Sequence, residues 1–277
     1  MSPMKLSFLP MTPAHLSGAM RLSVEAGWPH RREDWDFVRG ISNGVVALDR
    51  DRVVATALAT PYGDAAMANL VIVERSLRGR GVGQDIMARA MATLDPVSWR
   101  LVATEDGLPL YDKLGFRAIG SIVQHQGVIG TIRPGDGVTW AGAADLAAMI
   151  AMDRAASGMD RASLYQALSD RARFAILRTS DGITGLAALR PFGKGQVIGP
   201  VVAGTITEAQ NLVSFLMSGC AGQFLRVDTG TDTGLGPWLA ARGLPEGGAG
   251  LVMQRGATSL LSSGPASVFA LASQALG

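Results

Sequence analysis

The clearest structural signal in this chain is the stretch Leu70-Val-Ile-Val-Glu-Arg-Ser-Leu-Arg-Gly-Arg-Gly-Val-Gly83. Its first four residues form an apolar run that predicts a buried strand, and the amphipathic run beginning at Val82 predicts a helix. Between them lie three alternate glycines and two arginines. Glycine permits positive φ and close approach of a ligand to the backbone. Because a helix N-terminus presents free N–H groups, the segment predicts an anion cradle for a phosphate or pyrophosphate.

The glycine spacing separates this loop from two common phosphate-binding loops. No Gly-Lys-Ser/Thr follows, and the glycines do not fit G-x-G-x-x-G. The pattern resembles the Arg/Gln-x-x-Gly-x-Gly/Ala signature of the GNAT superfamily of N-acyltransferases, with Arg78, Gly81 and Gly83 on its defining positions. The resemblance implies that the loop binds the pyrophosphate of acetyl-CoA. The other cofactor-binding residues it implies are Val71, Ile72, Val73, Gly79, Arg80 and Val82. A plain glycine-rich surface turn is the alternative.

A second segment supports the same resemblance. After a predicted strand that ends at Thr104, the run Glu105-Asp-Gly-Leu-Pro-Leu-Tyr-Asp-Lys-Leu-Gly-Phe116 is similar to the family's short helix that carries a tyrosine and ends in Gly-Phe. The resemblance implies that Tyr111 is the general acid for the leaving thiolate, the alternative being a packing tyrosine. Family members often have Asn where this chain has Thr104, so the pantetheine contact expected there would come from a threonine.

The composition is typical of a cytoplasmic enzyme. The chain has 277 residues, of which 48% are hydrophobic and 17% charged, with a formal net charge of +2. This balance, without a basic stripe, argues against nucleic acid as a partner. The single cysteine, Cys220, favours a reducing compartment. We expect no membrane span or signal peptide, and the three separated histidines predict no metal site.

The order of predicted elements occurs twice along the chain. The first set is helices 13–26 and 33–40, strands 45–48, 53–60 and 68–73, helix 82–94, strand 100–104, helix 108–114 and strand 117–124. The second is helices 144–156 and 161–169, strands 175–179, 185–189 and 197–202, helix 208–217, strand 224–227, helix 235–242 and strand 251–254. Pro61-Tyr-Gly63 matches Pro191-Phe-Gly193. We therefore predict an α/β (α+β, mixed-sheet) protein of two tandem GNAT-like folds, with a catalytic domain at 1–132 and a second domain plus C-terminal tail at 133–277.

The second copy lacks the glycine loop and the tyrosine of the first. The segment after Val202 has neither alternating glycines nor arginine, and Leu239 stands where the first copy has Tyr111. We expect this degenerate half to pack on the first, to shape the acceptor pocket or to form a homodimer.

The acceptor site is predicted from the region between the first two helices. Trp28 precedes a proline, which disfavours helix at that position, so it should lie in a loop, where it could line an amine pocket or plug the core. Tyr62, in the turn after a predicted strand, is a second substrate-binding candidate.

Four residues are candidate general bases: Glu25, Glu105, Asp106 and His125. An amine of pKa near 10.4 must lose a proton before it attacks, and the Val73 N–H would polarise the thioester carbonyl.

Together these observations predict direct acetyl transfer from acetyl-CoA to the primary amine of a small molecule in a ternary complex. Protein or peptide acetylation and a CoA-binding sensor or scaffold without turnover are the alternatives.

Overall fold

The computed structural model describes residues 5–257 and 264–277. One mixed sheet runs through both halves of the chain. The strands of the first half are β1 (Ser7–Pro10), β2 (Asn43–Asp49), β3 (Arg52–Tyr62), β4 (Ala65–Val73), β5 (Ser98–Ala103) and β6 (Arg117–Val128). Its helices are α1 (Leu16–Glu25), α2 (Arg32–Gly40), α3 (Val82–Met91) and α4 (Leu108–Lys113).

The second half repeats this order. Its strands are β7 (Val138–Trp140), β8 (Arg173–Thr179), β9 (Gly182–Phe192), β10 (Gly195–Ala203), β11 (Phe224–Gly230), β12 (Glu246–Gly256) and β13 (Ser267–Ala270). Its helices are α5 (Leu146–Ser157), α6 (Ala162–Ser169), α7 (Ile206–Ser218) and α8 (Leu235–Ala240). No helix in the described ranges is long and apolar enough to cross a membrane.

The two halves are interlocked through their last long strands. The sheet order is β1-β2-β3-β4-β5-β12-β6-β11-β13-β10-β9-β8-β7. Strand β12 of the second half lies between β5 and β6, and β6 of the first half lies between β12 and β11. Each of these strands thus has hydrogen-bond partners on both edges only when the other half is present. The boundary predicted at 132/133 falls in the connection between β6 and β7 and stays a prediction.

Strand β4 is covered on both faces of the sheet, which accounts for its apolar composition. Its alternate residues Ala66 and Ala68 lie in a core cluster with α3, whereas Ala65 and Met67 lie in a second cluster with α1 and α2. A strand covered on both faces is expected to be a continuous apolar run rather than an alternating one. Val82, which begins α3, joins the first cluster and fixes the helix against the sheet.

Strands β4 and β5 pair over a short distance and then separate. Their parallel pairing runs only from Ala65↔Ser98 to Met67↔Arg100. Beyond it the β3–β4 register shifts, and Leu70 has a φ of 47°. A bulge of this kind bends a strand away from its neighbour. The carboxyl ends of β4 and β5 therefore form a V-shaped opening, which we call the first cleft.

The corresponding opening of the second half is filled. Strands β10 and β11 pair in parallel over only three positions, Gln196–Ile198 with Leu225–Val227. Strand β13 then lies antiparallel between them, pairing with β10 at Val201↔Ala270 and with β11 at Thr229↔Ala270. The chain's own strand thus occupies the space that is open in the first half.

Candidate active site

The glycine loop forms one end of the first cleft. Gly79 and Gly81 have φ angles of 74° and 84°, in the left-handed region, and Gly81 is the N-cap of α3. An ideal Cβ at either position would meet nothing within 4 Å. Glycine is therefore favoured at both positions by the left-handed backbone conformation and not by close packing. The space above the loop is open. Free N–H groups at the start of α3 make this loop a fitting cradle for a pyrophosphate.

Gly83 serves a different purpose. It lies inside α3, and an ideal Cβ there would be 3.2 Å from Leu110 Cδ2 and 3.7 Å from Val73 Cγ2. The absence of a side chain lets α3 pack closely on α4 and on the end of β4. This packing brings the glycine loop, the end of β4 and the helix that carries Tyr111 to one place.

The two arginines of the loop are both exposed, with different contacts. Arg78 donates from Nε to the Val73 carbonyl oxygen at 3.2 Å and from Nη1 to Asp106 Oδ2 at 3.0 Å. It thus joins the end of β4 to the turn after β5. Arg80 makes no hydrogen bond or ion pair with any described residue. Its positive charge is available to an anion at the loop.

The register at the end of β4 sets the direction of the Val73 N–H. Glu74 N–H donates to the Val54 carbonyl oxygen at 2.9 Å. In an antiparallel ladder, hydrogen-bonded and non-hydrogen-bonded pairs alternate, so Ile72 bonds to β3 and Val73 points its N–H the other way. This N–H faces the cleft beyond the β4–β5 pairing. The side chain of Ile72 is buried in the core, while Val71 and Val73 are partly buried on the α3 side.

Tyr111 lies on α4 with its ring buried and its hydroxyl unpaired. The side chain is 8% exposed and packs edge-to-face on Phe116, with 6.0 Å between ring centroids. Its hydroxyl makes no hydrogen bond with any described residue, and burial raises the pKa of the phenol to about 12. The tyrosine therefore keeps its proton at neutral pH. Thr104, exposed at the end of β5, lies near the same ring.

Tyr62 is not a wall of an open pocket, which corrects the prediction made for it. The side chain is 1% exposed, and its hydroxyl donates to the Leu276 carbonyl oxygen at 3.0 Å. Burial raises the pKa of the phenol. The sequence predicted a turn at Tyr62, but the residue ends β3, and the second half covers it. Tyr62 is a core residue and cannot bind a substrate from solvent.

Trp28 lies in the connection between α1 and α2, where a loop was predicted. It is partly buried and packs edge-to-face on His30, with ring centroids 5.6 Å apart. His30 in turn contacts Phe192 of the second half, also at 5.6 Å. Gly193 N–H donates to Asp34 Oδ2 at 3.0 Å. The loop predicted to border the acceptor is thus held against the second half.

The four candidate bases differ in their surroundings. Glu25 is paired with Arg21, and Asp106 with Arg78. His125 is 2% exposed in β6, with Nδ1 2.9 Å from the Leu244 carbonyl oxygen. It is a satisfied histidine of the interlocked strands and is not open to solvent. Glu105, exposed after β5, is the one of the four candidates that has no hydrogen bond or ion pair among the described residues.

His30 should make the stability of the protein depend on pH. Burial lowers its pKa to about 4, against the opposing effect of Asp34 and with smaller contributions from Arg226 and Arg190. Since the unfolded chain binds this proton near pH 6.5, the stabilisation is complete above pH 6.5 and is lost as pH falls towards 4. We expect a loss of up to about 3 kcal/mol in the free energy of unfolding.

Urea unfolding of the wild type and of His30→Phe at pH 7 and pH 4.5 tests this expectation. The variant should show the smaller difference between the two pH values, whereas His15→Gln, which changes the histidine before α1, should behave as the wild type. Equal pH dependence in the wild type and His30→Phe would contradict it.

Sequence reasoning missed Arg100. It lies in β5, opposite Met67 at the last paired position before the cleft, and lines a cavity of about 220 Å³. The available signal was a lone arginine inside a predicted buried strand. Which groups would surround it depended on the second half and could not be read locally.

Comparison with known proteins identifies the family. Two models, each described as an acetyltransferase (GNAT) domain, match residues 41–118 and 149–265. The chain therefore belongs to the GNAT acetyltransferases and contains two GNAT domains in tandem, which confirms the predicted family and mixed α/β fold. Members of this family transfer an acyl group from acyl-CoA to an amine acceptor.

Individual proteins similar to this chain were also found, one by sequence and two by structure. The chain is 29% identical over 225 residues to YitH of Bacillus subtilis, an uncharacterized N-acetyltransferase, covering 77% of this chain and 78% of YitH. A proposed acetyltransferase from Pyrococcus horikoshii superposes with a TM-score of 0.83 at 17% identity, covering 100% of this chain and 98% of the other. A tandem GNAT protein from the clavulanic acid biosynthesis pathway superposes with a TM-score of 0.62 at 13% identity, covering 91% and 98%.

Proposed function

We propose that this chain transfers the acetyl group of acetyl-CoA to the primary amine of a small molecule, in a ternary complex, at the first cleft only. One observation carries the proposal. The first cleft is open and has a glycine cradle, a free Val73 N–H and an unpaired Tyr111 hydroxyl, whereas β13 fills the equivalent opening of the second half. The glycine loop fits a pyrophosphate because both left-handed glycines leave the space above them open.

Each of three residues at the first cleft has a separate role in the proposed acetyl transfer. Acetyl-CoA, when bound, supplies the thioester whose C–S bond breaks as the amine nitrogen forms the new C–N bond. Val73 N–H donates to the carbonyl oxygen, where negative charge develops. Tyr111 donates its proton to the leaving sulfur, and Glu105 receives the amine proton directly or through water. The proton that the amine loses balances the proton that the thiolate gains.

Release of free thiol from acetyl-CoA in the presence of a panel of small amines and short peptides tests the proposal. We expect turnover with small amines, because the loop predicted to border the acceptor is held against the second half. Turnover confined to peptides or proteins would contradict the small-molecule acceptor. Tight CoA binding with no turnover of any amine would indicate a sensor instead of an enzyme.

Gly107→Ala should reduce the rate by displacing Tyr111. An ideal Cβ at Gly107 would lie 2.8 Å from Tyr111 Cε2, closer than a real Cβ contact. The ring must shift, and a displacement of about 1 Å can cost up to ~10²-fold in rate. We expect kcat to fall while the KM for acetyl-CoA changes little.

Gly120→Ala is the matched control for Gly107→Ala, because its ideal Cβ meets nothing within 4 Å. Rates would be compared with thiol release at saturating acetyl-CoA. An unchanged kcat for Gly107→Ala would show that the position of the Tyr111 ring is not critical.

A further inference from the structure

An ion pair joins the two sides of the first cleft. Arg78 follows β4 and Asp106 follows β5, the two strands whose carboxyl ends form the cleft. Arg78 Nη1 donates to Asp106 Oδ2 at 3.0 Å, and the two side chains are 44% and 79% exposed. The pair therefore lies in solvent where the glycine loop begins and belongs to neither core.

The two partners of this ion pair are held to different degrees. Arg78 also donates from Nε to the Val73 carbonyl oxygen at 3.2 Å, which keeps it at the end of β4. The carboxylate of Asp106 makes no other hydrogen bond or ion pair with any described residue. Removing that carboxylate would thus leave Arg78 attached to β4.

The pair neutralises one of the two arginines of the glycine loop. Arg80 has no partner among the described residues, so its charge is the uncompensated one. The loop proposed to bind pyrophosphate therefore already faces one anion, the carboxylate of Asp106. An exposed ion pair contributes little stability, whereas a phosphate offers an arginine strong charge-assisted hydrogen bonds. A pyrophosphate at the loop can therefore displace Asp106 at small cost.

We propose that Asp106 competes with the pyrophosphate of acetyl-CoA for Arg78 and so weakens the binding of CoA. This inference rests on the function proposed above. When CoA binds, the guanidinium group of Arg78 exchanges the carboxylate for a phosphate. When CoA leaves, the carboxylate pairs with Arg78 again. The exchange limits the affinity of the first cleft for CoA and favours release of the CoA product.

Asp106→Asn tests the proposal through the sign of its effect. The substitution keeps the size of the side chain and removes its charge. We expect the affinity for CoA, measured by calorimetry, to rise by about 2–5-fold, the range for an exposed ion pair. The gain should shrink at high ionic strength, because salt screens charges in solvent. If the pair served only to hold the loop in shape, the same variant would bind CoA more weakly.

Two further variants separate the ion pair from a general effect of charge. Asp112→Asn removes one carboxylate from α4, where Asp112 is exposed and has no ion pair among the described residues, so its affinity for CoA should be that of the wild type. Arg78→Gln introduces the alternative residue of the family signature and removes the partner of Asp106. In that background Asp106→Asn should no longer raise the affinity, as a double-mutant cycle requires for a coupled pair.

Three results would overturn the proposal. They are an unchanged or lower affinity in Asp106→Asn, an equal gain in Asp112→Asn, and a gain that persists in the Arg78→Gln background. Each of them leaves the proposed function standing when the wild type binds CoA. If the wild type binds no CoA, the proposed function fails, and the titration of Asp106→Asn decides the inference. Binding by that variant alone would support competition by Asp106, and no binding by either protein would overturn it.

Discussion

Replacing Tyr111 with phenylalanine should lower kcat by roughly 10²–10⁴-fold, the usual contribution of a general acid. The ring is buried against Phe116 and would keep its packing, so the change removes only the hydroxyl. Because burial raises the pKa of this phenol to about 12, it holds its proton throughout the neutral range and can donate it to the leaving sulfur. CoA binding should remain close to that of the wild type.

Tyr62→Phe provides the matched control for this experiment. Its hydroxyl is buried and donates to the Leu276 carbonyl oxygen, away from the first cleft. Removing it should cost about 1 kcal/mol in stability and leave kcat unchanged. The measurement is thiol release at saturating acetyl-CoA, with CoA affinity from calorimetry. If Tyr111→Phe retains most of its kcat when the chemical step limits the rate, Tyr111 is a packing residue.

The long strands and helices could be predicted because their signals are local. The apolar run of β4 and the glycine-bounded helix α3 both lie where the sequence placed them. Three short strands were missed: β1, β7 and β13, of three or four residues each. Strands this short have no periodicity of their own, and they are extended because a neighbouring strand supplies hydrogen bonds. Helix 13–26 was also too long, because Pro13–His15 forms a 3-10 turn before α1.

The interlocking of the halves could not be predicted. The residue pattern of β12 is the same whether the strand pairs within its own half or lies between β5 and β6. Only the pairing of residues far apart in sequence distinguishes the two arrangements. The same limit explains Tyr62, because the residues near 276 that cover it are far from it in the sequence.

The same distinction between local and long-range signals applies to the candidate site. The glycine loop is a local motif, since the conformations of Gly79 and Gly81 follow from the sequence around them. Tyr111 was found through the resemblance of its short helix, which ends in Gly-Phe, to the second motif of the family. Arg100 was not, because its surroundings come from α5 and β13, which are far from β5 in the sequence.

Gly81→Glu should abolish CoA binding, which we expect to occur once per chain. Gly81 has a φ of 84° and begins α3, so its neighbours' N–H groups face the predicted pyrophosphate. The substituted carboxylate would lie beside that anion, and like charges in contact cost several kcal/mol. Each 1.4 kcal/mol is a factor of ten, so the affinity should fall by at least about 100-fold. Calorimetric titration with CoA measures both the affinity and the number of sites.

Gly222→Glu separates the effect of charge at the loop from the strain of the substitution. Gly222 has a φ of 76° and an ideal Cβ there also meets nothing within 4 Å, so it has the same backbone strain and the same open space. It lies between α7 and β11 in the second half, whose cleft β13 fills, and the variant should bind CoA as the wild type does. A titration that finds two equivalent sites would show that β13 does not close the second cleft. Undiminished binding by Gly81→Glu would place the pyrophosphate elsewhere.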